Sequence, residues 1–214
     1  MNTIFVKRYA TDFPINEREI WRYAGLKGEP EEQLQCLLYT VIGDLAGKLS
    51  YRVCYRRMSE LPFGTQSRDL AKCLRGCDEV VLFAATIGIE VDRYIAKYQQ
   101  ISATRALLAQ AYGAERIEAL CDAFCKEMKV QIAAEGKFCT PRFSPGYGDL
   151  PLEAQKDIFA LLDCSRKVGV GLNESLLMSP SKSVTAIFGV GSAPVSETRH
   201  KCENCTNGNC NYRR

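Results

Sequence analysis

The decapeptide Arg142-Phe143-Ser144-Pro145-Gly146-Tyr147-Gly148-Asp149-Leu150-Pro151 holds an arginine, a tyrosine, a glycine pair and two prolines. Pro145 and Pro151 fix φ and lack a backbone donor, which argues against a regular helix or a central strand here. Gly146 and Gly148 permit turns and let a ligand approach the main chain. Arg142 offers a planar fork suited to a carboxylate or a phosphate. The stretch reads as a rigid loop that grips a small anionic ligand, or as a surface turn with a solvated arginine.

Regular elements are expected on both sides of this loop. Lys137–Phe143 reads as a strand leading into it, and Leu152–Leu162 as a helix leading out. Val80-Val81-Leu82-Phe83-Ala84-Ala85 is a short apolar run suited to a buried strand over 79–86. Ser183–Gly191 is apolar and β-branched, and is expected to be a strand. Ser50–Arg57 alternates with the period of a half-exposed strand, and residues 3–9 could open the chain as another. Helices are expected over 15–24, 31–49, 67–75 and 90–100. Ser102 can cap a long helix running to about Ala134. In it, Leu107, Ala111, Ala114, Ile117, Cys121, Phe124 and Met128 form a stripe at 3/4 spacing. Gly113 lies inside that helix at a cost of about 1 kcal/mol against alanine, which points to close packing or ligand approach. Strands and helices intermix without clean βαβ alternation, so the expected class is α+β with an antiparallel sheet.

Composition narrows the function. The chain has 214 residues, 46% of them hydrophobic, enough for one domain with a sizeable core. Net charge is only +3, which gives no reason to expect a nucleic-acid surface. No apolar run reaches the roughly 18 residues of a membrane span. Residues 1–8 lack the apolar region of a signal peptide, so a cytoplasmic location is expected. Eleven cysteines are many for such a location, and the odd count argues against a disulfide framework. Cys73 and Cys77, like Cys121 and Cys125, are spaced i, i+4 and read as buried free thiols on helix faces.

The order R-x-x-x-G-Y, then an acid and a proline, resembles the signature R-x-x-x-G-Y-P-x-C-P-D of the activation domain of cobalamin-dependent methionine synthase. Arg142, Gly146, Tyr147 and Pro151 match. Gly148 stands where the first proline is expected, Leu150 replaces the cysteine, and Leu152 replaces the acid. Met178–Phe188 is similar to the family's M-x-P-x-x-S-V-S-G-x-Y segment, with Phe188 in place of tyrosine. Ala114–Leu120 resembles the acidic helix upstream of the signature. The resemblance covers roughly residues 80 to 190, and the departures resemble a free-standing subfamily of detached reactivation subunits.

The resemblance implies S-adenosylmethionine as ligand and a cobalamin-carrying methionine synthase as partner. It further implies reductive methylation of cob(II)alamin, with a flavodoxin or ferredoxin as reductant. Arg142 would pair with the ligand carboxylate, and Glu118, or Glu115 on the same helix, would take the ammonium. Main-chain groups around Pro145 and Gly146 would meet the adenine and ribose. Tyr147 would stack or hydrogen-bond, and Ser183 and Phe188 would line another wall. No acid–base catalyst is expected, since the corrin carries the chemistry and the protein supplies orientation.

Residues 1–195 read as the activation-domain-like domain and 196–214 as a Cys-rich tail. His200, Cys202, Cys205 and Cys210 fall in the pattern H-x-C-x-x-C-x4-C. These are four ligands of the number and type of a tetrahedral zinc site. The three cysteines, with a fourth ligand from elsewhere, would also suit an iron–sulfur cluster. A reduced tail or a pair of redox thiols is the plainer alternative. Two competing functions stay open: a corrinoid-protein interaction module without a nucleoside ligand, and an iron–sulfur electron-transfer accessory protein.

Overall fold

The computed structural model describes residues 3–10, 13–64 and 66–193. Along the chain these form β1 (Phe5–Arg8), α1 (Glu17–Tyr23), α2 (Glu32–Leu45), β2 (Arg52–Met58), α3 (Arg68–Cys73) and β3 (Glu79–Thr86). Then follow α4 (Glu90–Tyr98), α5 (Ala103–Ala134), β4 (Phe138–Cys139), α6 (Ala154–Leu162) and α7 (Cys164–Val168). The short strands β5 (Gly171–Leu172) and β6 (Met178–Ser179) precede β7 (Ser183–Gly191). Five strands form one sheet in the order β1-β2-β3-β7-β4, and every neighbouring pair is antiparallel. The class is α+β, as the intermixed pattern suggested.

Strand β3 is central and covered on both faces, which is why its sequence is apolar without alternation. Val81, Phe83 and Ala85 join the core beneath α1, α2, α4 and α5. Leu82 and Ala84 join a second core beneath α6 and α7. The same period of two divides β7, with Val184, Ala186, Phe188 and Val190 toward α5 and Ile187 toward α6. Helix α5 meets the sheet through aromatic rings. Phe124 lies 5.0 Å from Phe83 and 5.2 Å from Tyr55, in tilted geometries.

Ser102 caps α5, its side chain accepting from Arg105 N–H at 3.4 Å. The expected stripe holds at Ala111, Ile117, Cys121, Phe124 and Met128, which are buried, but not at Leu107, which is 48% exposed. Leu108 and Tyr112 are buried instead. The first half of α5 is enclosed by α4 on one side and α1 on the other, so its buried face is wider than one stripe. Gly113 is explained by packing. A Cβ there would stand 2.8 Å from Val91 Cγ1 and 3.0 Å from Lys182 Cε.

The expected strand over 137–143 is regular only at β4. Thr140 then turns its hydroxyl to accept from Gly189 N–H at 2.8 Å, and Phe143 forms an isolated bridge to Ile187. Pro141 supplies no donor, and this breaks the ladder between the two contacts. Helix α7 and the β5–β6 ladder were not anticipated, since each is too short to show a period.

An ion network ties the end of α5 to the sheet. Arg57 grips Glu79 at 2.5 and 2.8 Å and Glu135 at 2.8 and 2.7 Å, and Lys137 also reaches Glu79. The Arg57 hydrogen bonds, opposed by partial burial and aided by Lys137, hold the Glu79 carboxyl down at about 2.

Two outcomes follow from these contacts. Gly113→Ala should destabilise the protein by about 1 kcal/mol in denaturant unfolding, because overpacking outweighs the gain in helix propensity. Adding Val91→Ala should recover part of that loss, whereas a single variant more stable than wild type would show that the gap can widen. Arg57→Gln should lower the thermal midpoint by a few degrees at pH 7. Glu79 titrates below its unfolded value of about 4.3, so its contribution is complete above about pH 5 and is lost as pH falls toward 2. The gap between wild type and Arg57→Gln should therefore shrink over that range, and a constant gap would remove Glu79 from the account.

Candidate functional site

The loop after β4 is anchored at both ends. Phe143 and Ile187 exchange backbone hydrogen bonds of 2.7 and 2.8 Å, which fixes Arg142 at the sheet edge. Within the loop, Gly146 N–H donates to Leu150 O at 2.9 Å and Leu150 N–H to Tyr147 O at 3.1 Å. Leu150 is buried in the core beneath α6. Asp149 accepts from Ser67 Oγ at 2.5 Å, Arg68 N–H at 2.8 Å and Asp69 N–H at 3.1 Å, so it caps the start of α3. The Ser67 hydroxyl first, and then these N–H groups, hold its carboxyl below the usual range. Gly148 has φ +55°, and a Cβ there would lie 2.6 Å from Asp69 Oδ2. Proline cannot adopt that φ, which accounts for the departure from the family signature at this position.

Arg142 points toward α5. Its Nη2 donates to Glu118 Oε2 at 2.6 Å and to Asp122 Oδ1 at 3.1 Å. The two carboxylates are four residues apart, one turn on the same helix face. Nε and Nη1, which carry three of the roughly five donors of a guanidinium, have no hydrogen bond to the described residues. A cleft of about 160 Å³ opens beside this group. Arg142, Asp122 and Lys129 give it charge, Thr140 and Pro141 give it main chain, and Cys125, Cys139 and Phe188 give it a soft wall. Burial pushes the thiols of Cys125 and Cys139 up to about 11, so both are uncharged at neutral pH. On the far side of Glu118 stands Tyr23, whose phenol is raised by burial and then by the Glu118 charge. Arg22 stacks on that ring at 4.2 Å and pairs with Glu19 at 2.7 Å.

The structure thus brings Arg142, Glu118 and Phe188 together, with Phe188 only 2% exposed. Pro145 is buried, Gly146 is exposed at φ +87°, and Tyr147 is 67% exposed on the adjoining loop. Ser183 is not brought to this group. It lies five residues along β7 from Phe188, about 17 Å at strand spacing, and on the opposite face. There its hydroxyl contacts Thr86 Oγ1 at 2.9 Å and Pro180 O at 2.8 Å. Glu115 is occupied elsewhere. It is 4% exposed, accepts from Arg116 and from Asn16 N–H, and so positions the start of α1. The sequence reading missed Asp122, Tyr23, Cys125 and Cys139. Asp122 carried a usable signal, its i+4 spacing from Glu118.

His200, Cys202, Cys205 and Cys210, expected as metal or cluster ligands, lie outside the described residues. Among the described residues no group of three or more His, Cys, Asp or Glu side chains could hold a metal. Nor is any helix there long and apolar enough to cross a membrane.

The chain is similar in structure to the MetH reactivation domain, solved bound to AdoHcy, with a TM-score of 0.61 and 17% sequence identity. The match covers 87% of this chain and 78% of that one, and at this identity it speaks for the fold. Among curated proteins none matches. Residues 70–210 match the profile of the vitamin B12 dependent methionine synthase activation domain. That span is well over half the chain and includes the arginine loop, α5 and β7, so the chain belongs to the activation-domain family of vitamin B12 dependent methionine synthase.

Proposed function

We propose that the chain binds S-adenosylmethionine at the Arg142 cleft and serves as a reactivation subunit for a cobalamin-dependent methionine synthase. Family membership supports the context, and the AdoHcy bound to the MetH reactivation domain supports the ligand class. The observation that carries the reading is the triad of Arg142, Glu118 and Asp122. A cationic fork with unused donors beside two carboxylates is complementary to an amino-acid head group. The ligand carboxylate takes the Nε and Nη1 donors, and its ammonium takes a share of the Glu118 and Asp122 oxygens. Charge-assisted bonds of this kind are about twice as strong as neutral ones and set orientation as well as affinity.

The size of the cleft is consistent with this division. A whole-ligand site occupies about 300–1,000 Å³, so about 160 Å³ suits the amino-acid end alone. The adenosine then extends over Pro145 and Gly146 toward Tyr147. Neutral Cys125 and Cys139 suit a methyl donor, because a thiolate beside it would compete for the methyl group. Methyl transfer and its electron, delivered by a flavodoxin- or ferredoxin-type reductant, belong to the corrin on the partner synthase. This chain's residues bind the donor and orient it.

Calorimetric titration of S-adenosylmethionine into wild type and Arg142→Ala tests the ligand. Binding should weaken at least tenfold in the variant, as loss of a charged hydrogen bond of about 1.5–3 kcal/mol implies. Decarboxylated S-adenosylmethionine should bind wild type and Arg142→Ala alike. Equal losses for both ligands would mean that Arg142 does not read the carboxylate. In a second assay, a synthase lacking its activation domain should recover turnover when this protein, a reductant and S-adenosylmethionine are supplied. No recovery, together with absent nucleoside binding, would favour an interaction module docking on a corrinoid protein.

A further inference from the structure

The edge of the sheet farthest from the Arg142 cleft carries two arginines side by side. Strands β1 and β2 pair with Arg8 directly opposite Arg52. In the same register Tyr9 stands opposite Tyr51, and Tyr9 N–H donates to Tyr51 O at 3.1 Å. The Arg8–Arg52 pair is therefore one that exchanges no backbone hydrogen bonds, the kind in which Cα atoms approach to about 4.5 Å and side chains come closest. Both arginines leave the sheet on the face of Cys54, two residues along β2, which belongs to the core beneath α6 and α7. Like charges placed directly opposite each other destabilise a sheet.

Nothing among the described residues offsets this pair. Arg8 is exposed and Arg52 half-buried, and neither has a hydrogen bond or an ion pair to a described residue. Arg52 Nε is buried, so solvent reaches this guanidinium only in part. The same row continues across the sheet through Thr86 on β3 and Ser183 on β7. These are hydroxyls, engaged with each other, with Gly88 N–H and with the carbonyls of Pro180 and Lys182. Asp163, at the start of α7, is paired with Arg166 at 2.9 Å. Gly169, at the end of α7, borders the Arg52 fork with bare main chain. A Cβ there would stand 3.5 Å from Nη1 and 3.9 Å from Nη2.

We propose that Arg8 and Arg52 form an anion site that takes the phosphate group of a small molecule. Each guanidinium presents paired N–H donors in a planar fork. A phosphate group carries about two negative charges at neutral pH and three acceptor oxygens. It can accept from both forks at once, whereas a carboxylate brings one charge and two oxygens. Bound between β1 and β2, it offsets the repulsion across the strands. The site lies on the opposite face and at the opposite edge of the sheet from Arg142, and both arginines precede the span 70–210 that matches the family profile. It is therefore independent of the S-adenosylmethionine site.

Calorimetric titration of the full chain with inorganic phosphate, at an ionic strength held constant with chloride, tests the site. One phosphate should bind saturably per chain. Arg8→Gln and Arg52→Gln should each weaken binding at least tenfold, and Arg142→Ala should bind as wild type does. Melting curves supply a second readout, for which exposed Arg8 is the position least able to disturb folding. Without phosphate, Arg8→Gln should melt no lower than wild type, because it removes a like-charge contact. With phosphate at about one hundred times its dissociation constant, wild type should melt several degrees above the variant. Adenosine 5′-monophosphate separates the sources of the group. Tighter binding than inorganic phosphate identifies a phosphate ester as the ligand, and equal or weaker binding identifies the free ion. Equal responses to phosphate in wild type, Arg8→Gln and Arg52→Gln would overturn the site, as would binding lost in Arg142→Ala alone.

Discussion

Packing of α5 across β3 and β7 is the contact on which the remaining geometry depends. The helix is 32 residues long, about 48 Å at 1.5 Å per residue, and rests on the sheet through Phe124, Leu120 and Ile117. Once that face is buried, the rotation of the helix is settled. Glu118 and Asp122 must then face the sheet edge where Arg142 emerges, and Glu115 must face α1. Sliding α5 by one residue would turn these carboxylates by about 100° and dissolve the triad. The ion network of Arg57, Glu79, Glu135 and Lys137 holds the far end of the helix in the same register.

The site is assembled at a place where the sheet stops being regular. Pro141 interrupts the edge ladder, and the chain recovers it for one residue at Phe143 before leaving as the loop. The result is an arginine whose backbone is fixed by the sheet and whose side chain is free of it. Asp149, the acid within the loop, serves the loop and not the cleft, because its oxygens are spent on the N-terminus of α3. Such a division leaves Arg142, Lys129 and the α5 carboxylates as the charged groups that can meet a ligand. It also explains why Gly148 replaces a proline without disturbing the site.

Much of this was legible along the chain. The apolar run 80–85 announced a strand buried on both faces, because a side chain of either parity there has no polar alternative. Ser102 announced the start of α5 through its capping hydroxyl. The glycines and the prolines of 142–151 announced an irregular loop after the last sheet contact. The stripe on α5 failed at Leu107 because a helix flanked on two sides buries more than one face. The short elements α7, β5 and β6 left no trace, since two to five residues cannot establish a period.

The sequence by itself determined the local matters: the class of each long element, the caps, the turn-bound loop and the family signature. These follow from propensity and spacing, which act between residues near one another in the chain. Tertiary structure alone decided which side chains meet. It paired Arg142 with Asp122 and Glu118 and kept Ser183 at the far end and opposite face of β7. Those outcomes depend on the register between strands and on the rotation of α5. Both are fixed by burial of surfaces far apart in sequence, a free energy that no single segment carries.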